Sequence, residues 1–264
     1  MAIKVVSFGG GVQSTALLVL AAQGKIDYHT FLFANVGEDS ENPATLEYVH
    51  QVAMPYARLH GLELIELERI KRDGNRETLY GRLTRPGTKA IGIPVRMSNG
   101  APAMRACTND FKIEVIEKWL KVHGAKEQGA IVALGISLDE FQRARNDSGV
   151  AWKKLAYPLL NLRIDRAQCM SNDAHAGLPV PPKSSCYFCP YHSLHAWQEM
   201  RQNEPGLFRK AAALEQSINE RRGSLGLDKV WLTDRLKPLT KATTELTQES
   251  LFEDDMCESG YCMV

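Results

Sequence analysis

Short hydrophobic runs alternate with amphipathic segments along roughly the first 160 residues of the chain. The runs have the length of buried strands, and they predict strands at 3–6, 29–34, 62–67, 130–136 and, more briefly, 155–160. The segments between them predict helices at 16–20, 44–60 and 105–122. Strands that alternate with helices predict an α/β fold with a doubly wound, mostly parallel sheet.

The pattern changes after the fifth predicted strand. A proline-rich connector at 179–182 is followed by two helical segments, which we place at 194–202 and 205–222. We therefore expect an α/β domain at residues 1–165 and a smaller, mostly helical C-terminal region at residues 166–264. Six acidic residues and no basic ones lie between 245 and 258, so this region ends in an acidic tail.

Composition indicates an ordinary globular protein of 264 residues with a net charge of +1. No apolar run reaches the length of about 18 residues that a membrane-spanning helix needs, so we expect no membrane partner. The N-terminus lacks the pattern of a secretory signal. Six cysteines in such a chain predict a reducing, cytoplasmic compartment, where cysteines more often bind metal or react than pair.

The near-neutral charge hides a basic stretch at residues 69–105. Nine lysines and arginines lie there against only Asp73 and Glu77, among many glycines and prolines. We interpret this stretch as a flap over an active site, which would favour a phosphate-rich second substrate. An ordinary solvated loop is the alternative.

The most informative stretch follows the first strand and reads Ser-Phe-Gly-Gly-Gly-Val-Gln-Ser-Thr, residues 7–15. A strand, a glycine turn and a helix start direct backbone N–H groups and the positive end of a helix dipole at one point, which is an anion site. A tight turn with a serine cap is the alternative. The stretch contains neither the Walker A pattern nor the dinucleotide-binding glycine pattern.

This stretch resembles the PP-loop, S-x-S-G-G-x-D-S, of the ATP pyrophosphatases and the related phosphoadenylylsulfate (PAPS) reductases. The resemblance implies a Rossmann-like adenine nucleotide alpha hydrolase fold that binds ATP and Mg²⁺, with the β,γ-pyrophosphate held on the loop. The implied ATP-binding residues in this stretch are Ser7, Gly9, Gly10, Gly11, Gln13, Ser14 and Thr15. Gly9 replaces a serine of the pattern and Gln13 replaces its aspartate. If that aspartate holds Mg²⁺, another residue must do so here.

Two further stretches are similar to elements of this family. Asn35 begins a looser version of D-T-G-x-x-x-P-E-T-Y and is expected beside ATP, and Asp39 is our candidate for the missing magnesium carboxylate. A helix-capping role for Asp39 is the alternative. Gly135 and Arg143 match G-I-x-x-x-E-x-x-R, which implies an ATP-binding glycine and an arginine that meets phosphate; we favour Arg143 over Arg145.

The cysteines suggest a metal centre. Cys107 lies in a stretch that resembles the R-x-C-T-x-x-x-K element of a PAPS reductase-like branch, and Cys186 and Cys189 form a CxxC. Three interpretations remain: a [4Fe–4S] cluster on the three cysteines, Zn²⁺ on the same three with His192, or a redox or merely packed pair. The resemblance favours the cluster, because PP-loop thiolation enzymes use three cysteines in this way.

The tail carries Cys257 and Cys262. PAPS reductases have a catalytic cysteine on a C-terminal E-C-G-x-H string, which this tail lacks. We name Cys262 as a candidate catalytic residue that relays sulfur, and a disordered tail as the alternative.

Together the resemblances imply an ATP pyrophosphatase coupled to sulfur transfer, similar to the enzymes of DNA phosphorothioation. The expected partners are a nucleic acid, DNA, as acceptor and a sulfur donor such as a cysteine desulfurase. Reduction of PAPS, tRNA thiolation and a non-enzymatic ATP-binding scaffold are the alternatives.

Overall fold

A computed structural model of the chain describes residues 1–244. Its centre is a sheet of five strands, β1 (Ile3–Phe8), β2 (Thr30–Asn35), β3 (Glu63–Glu68), β4 (Ala130–Leu134) and β5 (Lys153–Ala156). All four neighbouring pairs are parallel, and the spatial order is β3-β2-β1-β4-β5. The predicted α/β fold with a doubly wound parallel sheet is thereby confirmed.

The described helices surround and extend this sheet. They are α1 (Val12–Ala22), α2 (Pro43–Tyr48), α3 (Met54–Leu59), α4 (Leu79–Leu83), α5 (Ala106–Thr108), α6 (Glu114–Val122), α7 (Ala125–Gln128), α8 (Pro158–Asn161), α9 (Arg166–His175), α10 (Leu194–Asn203), α11 (Pro205–Ser224) and α12 (Leu239–Ala242). π-helical stretches join α2 to α3 at Val49–Ala53 and α5 to α6 at Asn109–Ile113. A 3₁₀ segment spans Leu138–Arg143. No helix in residues 1–244 combines the length and the apolar character that a bilayer crossing requires.

Side chains of β1 alternate between the two faces of the sheet. Val6 and Phe8 pack with the buried residues of α1, whereas Val5 packs with those of α6. The connections from β1 through β2 to β3 run over the first face, and the connection from β3 to β4 returns over the second. The chain therefore reverses direction between β1 and β4, and the carboxyl ends of these two strands form the crevice where such sheets bind ligands.

A second hydrophobic core lies beside the sheet. Leu79, Leu83 and Val95, from the predicted flap at 69–105, are almost fully buried in it. They pack with Trp197 of α10 and Leu214 of α11. The apolar residues of the stretch at 69–105 are thus packed into the second core, which a freely moving flap would not allow.

Two boundaries differ from the sequence prediction. The strand predicted at 155–160 ends at Ala156, because Pro158 occupies the first turn of α8. α9 packs against α1, and its Cys169 is fully buried in the same core as Phe8. The α/β layer therefore includes α9 and extends past residue 165. Burial also raises the pKa of Cys169 to about 12, as expected for a structural cysteine.

Candidate active site

The glycine turn connects β1 to α1 at the reversal point of the sheet. Gly10 has a φ of +77°, and a Cβ on it would lie 2.9 Å from Cγ2 of Thr45. Gly11 is the N-cap of α1, which has no acidic residue in its first turn. The turn thus brings the backbone at Gly10 close to α2. No acidic side chain in the first turn of α1 offsets the positive end of its helix dipole.

Ser14 closes this turn from inside. Its hydroxyl accepts a hydrogen bond from the Gly11 N–H at 3.2 Å and donates one to the Gly11 carbonyl at 2.9 Å. Ser14 is the third residue of α1 and the N-cap is Gly11, so the expected serine N-cap is not found; the Ser14 hydroxyl instead stabilises the helix start by binding back to the N-cap backbone.

The loop that follows β4 presses directly on the start of α1. A Cβ on Gly135 would lie 3.1 Å from the backbone carbon of Gln13 and from the backbone nitrogen of Ser14. Both distances are shorter than ordinary Cβ contacts, so any larger residue here would push the two loops apart by a few tenths of an ångström. Gly135, assigned to ATP binding from its motif, acts here by letting the two loops of the crevice touch.

Gln13 faces the β4 loop and α9. Its Oε1 accepts a hydrogen bond from Nη1 of Arg166 at 3.2 Å, and its Nε2 lies 3.5 Å from the Ser137 hydroxyl. The sequence did not predict Arg166 as a site residue, because no local pattern connects residue 166 to residue 13. The signal that could have located it is the capping box of Asp165 and Gln168, which begins α9 at Arg166.

Ser7 and Thr15 point away from the turn. Ser7 is the last but one residue of β1, on the α6 face of the sheet, and lines a cleft there. Thr15 is fully buried, and its hydroxyl faces Tyr48 behind α1. Burial raises the pKa of Tyr48 to about 12, and the nearby Thr15 hydroxyl opposes that shift. Of the residues predicted to touch phosphate, these two side chains do not line the turn.

The loop after β2 holds Asn35 and Asp39. Asn35 donates from Nδ2 to Glu66 at 2.6 Å and accepts the Gly37 N–H on Oδ1 at 2.8 Å, which fixes the turn. The two carboxylate oxygens of Asp39 accept hydrogen bonds from the hydroxyls of Ser40 and Thr78, at 2.8 and 2.9 Å. Both residues, expected at the nucleotide, here stabilise the loop.

Arg143 and Arg145 have opposite environments. Arg143 is 4% exposed and forms an ion pair at 2.5 Å with Glu140, which is equally buried. Burial raises the pKa of Glu140, and the Arg143 charge opposes that shift. Arg145, by contrast, lines the same cleft as Ser7. The structure thus brings Arg145 to the wall of a cavity, whereas the favoured Arg143 belongs to a buried pair.

That cleft has a volume of about 860 Å³ and lies between α6 and the loop that joins β4 to β5. This connection contains only the short 3₁₀ segment Leu138–Arg143 and no α-helix, so it leaves part of the sheet uncovered. Its floor is apolar, with Val132, Leu134 and Leu155, and Lys112 stands in its wall along with Arg145.

The three predicted metal-ligating cysteines come together. Cys107, Cys186 and Cys189 line one small cavity of about 30 Å³, although they come from two distant parts of the chain. Ser185 also lines it, is 2% exposed, and has a hydroxyl without a hydrogen-bond partner in the described part of the chain. The R-x-C-T-x-x-x-K stretch contributes more than its cysteine, since its other three named residues line the same cavity: Arg105, Thr108 and Lys112.

Backbone hydrogen bonds hold the CxxC loop in shape. The Cys189 N–H donates to the Cys186 carbonyl at 3.0 Å, and Nε2 of His192 lies 3.0 Å from the same oxygen. The Tyr187 N–H donates to the Ser40 carbonyl, so the loop is attached to the segment after β2. The His192 ring thus contacts a backbone carbonyl of the loop, and His192 does not line the cysteine cavity.

Zinc and an iron–sulfur cluster place different demands on the three cysteines. Within residues 1–244, no group of three or more His, Cys, Asp or Glu side chains is close enough to hold a metal ion. One zinc ion requires four ligands within about 2.0–2.3 Å. A cluster binds each thiolate to a different iron and so accepts cysteines that stand farther apart. By ligand number, three cysteines match a cluster with one open iron rather than a single zinc ion, but a cavity of about 30 Å³ would have to widen to admit a cluster.

The segment before the CxxC crosses the glycine turn. A Cβ on Gly11 would lie 2.8 Å from the hydroxyl of Ser184, and the Thr45 hydroxyl donates to the Lys183 carbonyl at 3.3 Å. Ser184 precedes Cys186 by two residues, so their Cα atoms are at most about 7 Å apart. The glycine turn and the cysteine cavity are therefore neighbours.

Much of the positive charge at 69–105 is neutralised. Glu77 is 7% exposed and forms ion pairs with Arg69, Arg82 and Arg85. Burial disfavours the charged form of Glu77, but hydrogen bonds from the three arginines, and the charge of Arg82, outweigh it and lower its pKa to about 2. At least three of the nine basic side chains of the expected phosphate-binding surface are therefore held in ion pairs with Glu77.

Two predictions about the tail lie outside the described residues. Cys257 and Cys262, with the acidic residues around them, belong to the segment 245–264.

The chain was also compared with known proteins. No family model, no curated protein and no solved structure matches it.

Proposed function

We propose that the protein is an ATP pyrophosphatase that activates an acceptor for sulfur incorporation. The observation that carries the proposal is the adjacency of the glycine turn and the three-cysteine cavity, linked through Ser184 on Gly11. A site for a triphosphate beside a cluster of thiols suits a reaction that first activates an oxygen and then replaces it with sulfur.

The reaction has two displacements. In the first, an acceptor oxygen forms a bond to the α-phosphorus of ATP, and the bond from that phosphorus to the pyrophosphate oxygen breaks. The N–H groups of the turn and the α1 dipole stabilise the charge on the departing pyrophosphate. In the second, sulfur at the oxidation level of sulfide bonds to the activated acceptor atom, and AMP leaves with the acceptor oxygen. No electrons are gained or lost in either step.

Cys107, Cys186 and Cys189 would hold the [4Fe–4S] cluster. The chemistry that the bound cluster would supply is an iron left without a protein thiolate, to which sulfide can attach. The chain itself contributes Lys112, which lines both the cysteine cavity and the 860 Å³ cleft. A cationic side chain at that junction would hold the acceptor beside the sulfur.

We propose a nucleic-acid backbone phosphate as the acceptor, as in DNA phosphorothioation. The apolar floor of the cleft suits a base, and Lys112 and Arg145 in its wall suit a phosphate, although Glu114, Glu117 and Asp147 line the same cleft and would oppose a phosphate placed next to them. A cysteine desulfurase is the class of enzyme that would provide the sulfur, as a persulfide. A thiol reductant would release that sulfur as sulfide by forming a disulfide with the donor cysteine, so that the second displacement starts from sulfide.

The test is metal analysis and turnover of protein purified without oxygen. We expect about four irons and four sulfides per chain, and release of pyrophosphate and AMP from ATP when DNA and a sulfide source are present. Cys107→Ser should lose the iron, whereas Cys169→Ala, a change at the buried structural cysteine, should keep it.

Other results would reject the proposal. Stoichiometric zinc in colourless anaerobic protein would remove the cluster. Sulfite formation from PAPS and a thiol reductant, without pyrophosphate release from ATP, would show a sulfonucleotide reductase instead.

A further inference from the structure

Position 13 lacks the donor that a magnesium ion would need. The PP-loop pattern places a carboxylate there, whereas this chain has the neutral Gln13. The single carboxamide oxygen of Gln13 already accepts a hydrogen bond from Nη1 of Arg166 at 3.2 Å. A divalent cation on that oxygen would sit beside a guanidinium and be repelled by it. The residues at this position do not fit a magnesium ion.

We propose that Arg166 is a phosphate-binding residue of the glycine turn, and that its guanidinium supplies there the positive charge that a carboxylate-held magnesium would otherwise provide. This inference rests on the proposed function, because it concerns the same nucleotide. It names a binding residue 153 positions from Gln13 that the motif does not contain.

The position of Arg166 is fixed by several contacts. It is the first residue of α9, and its backbone N–H donates to Oδ1 of Asp139 at 2.9 Å. The Asp165–Gln168 capping box defines where this helix starts. The packing of α9 on α1 then fixes Arg166 relative to the glycine turn at the N-terminus of α1.

The Arg166 guanidinium has more N–H donors than its contacts with the described residues use. An arginine carries five N–H donors, and among the described residues Gln13 is the side chain to which Arg166 donates. Its fork geometry matches two oxygens of one phosphate. Acidic groups also lie near Arg166. Glu140, paired with Arg143 at 2.5 Å, interacts with the Arg166 charge, and Oδ1 of Asp139 accepts the Arg166 backbone N–H. These acids weaken the field of the guanidinium at the α1 terminus but leave its side-chain donors available for a phosphate.

The experiment measures binding of inorganic pyrophosphate and of ATP to the full chain by calorimetry, with Mg²⁺ or with EDTA. For the wild type we expect pyrophosphate affinities within threefold of each other in the two buffers. Arg166→Gln should weaken pyrophosphate binding at least tenfold in both. Arg166→Lys, which keeps the charge but loses the fork, should fall between the two. Arg163→Gln, a change at an exposed arginine of the same loop, should stay within twofold of the wild type.

The outcomes separate the two proposals. Two results would overturn the role of Arg166 and leave the ATP site standing. One is that Arg166→Gln binds pyrophosphate as tightly as the wild type does. The other is that the wild type binds pyrophosphate more than tenfold more weakly in EDTA than in Mg²⁺. Absence of binding of both ligands to the wild type in either buffer would overturn the ATP site itself. Equal melting temperatures of wild type and Arg166→Gln would show that the loss is not unfolding.

Discussion

At the scale of single residues, Gly10 decides whether the turn can form. Its φ of +77° is reached at little cost only by glycine, and the space where a Cβ would go is filled by Thr45 and Val49. The same residue is required by two independent constraints, one in the backbone and one in packing. This explains the central glycine without any reference to a ligand.

Gly10→Ala should therefore destabilise the protein by about 2–4 kcal/mol, as strain and a forced shift of Thr45 add together. Gly24→Ala is the matched control, because Gly24 also has a positive φ, +69°, but nothing lies within 4 Å of its Cβ position. We expect about 1 kcal/mol there. Denaturant unfolding of the two variants measures the difference, and equal losses would contradict the packing argument.

At the scale of elements, the helix formed by α5, the π-helical stretch and α6 organises the cysteine site. Its first turns carry Cys107 and Lys112, and Phe111 between them is fully buried. The guanidinium carbons of Arg69 and Arg82 lie 5.5 and 4.5 Å from the Phe111 ring centre. Both arginines also bind Glu77, and Arg82 pairs with Asp110 while Arg69 pairs with Glu114, so the two arginines connect the helix to the 69–105 stretch.

Glu77→Gln should lower stability at pH 7 by about 1–3 kcal/mol, because two of its three arginine partners, Arg69 and Arg82, are only partly exposed and would lose the negative charge that they share. The folded-state pKa of about 2 is lower than the ordinary 4.5. The contribution of Glu77 is thus complete above about pH 4.5 and is lost as the pH falls toward 2.

Urea unfolding between pH 3 and pH 7 tests this. The difference between wild type and Glu77→Gln should shrink as the pH falls. Glu63→Gln, at an exposed acid of β3, should show no such trend. A difference that is constant with pH would mean that the charge of Glu77 does not stabilise the network.

At the scale of the whole molecule, the hydrophobic cores cross the predicted domain boundary at 165. α9 completes the core around α1, and the second core joins Val36 and Phe111 to residues of α10 and α11. A chain that stopped at residue 165 would expose the apolar residues of both cores, because their partners in α9, α10 and α11 would be missing. The α/β part and the C-terminal part are therefore expected to fold together.

A chain that ends at Asp165 should lack a cooperative thermal transition, because it loses α9 and most of the second core. A chain that ends at Thr244 retains every described contact and is the control. Circular dichroism during heating measures both. A sharp transition in the shorter chain would show that the sheet is stable by itself.

The strands and most long helices could be predicted because they depend on nearby residues. Periodicity located β1 to β4 to within a few residues, and Pro205 and the apolar spacing after it located α11. The π-helical stretches and α4 were missed, since no local pattern distinguishes them from an ordinary helix or a loop. The basic stretch was misread for a related reason, because a charged sequence does not reveal that Glu77 will neutralise its arginines.

The sequence by itself determined the strand, glycine turn and helix start at 3–22 and the alternation that makes an α/β sheet. These depend on dihedral angles and on hydrogen bonds between close neighbours. Only the tertiary structure decided that Cys107 meets Cys186 and Cys189, that Ser184 lies on Gly11, and that Arg166 reaches Gln13. Those meetings result from the burial of apolar faces of α9, α10 and α11, which brings together residues that no local rule connects.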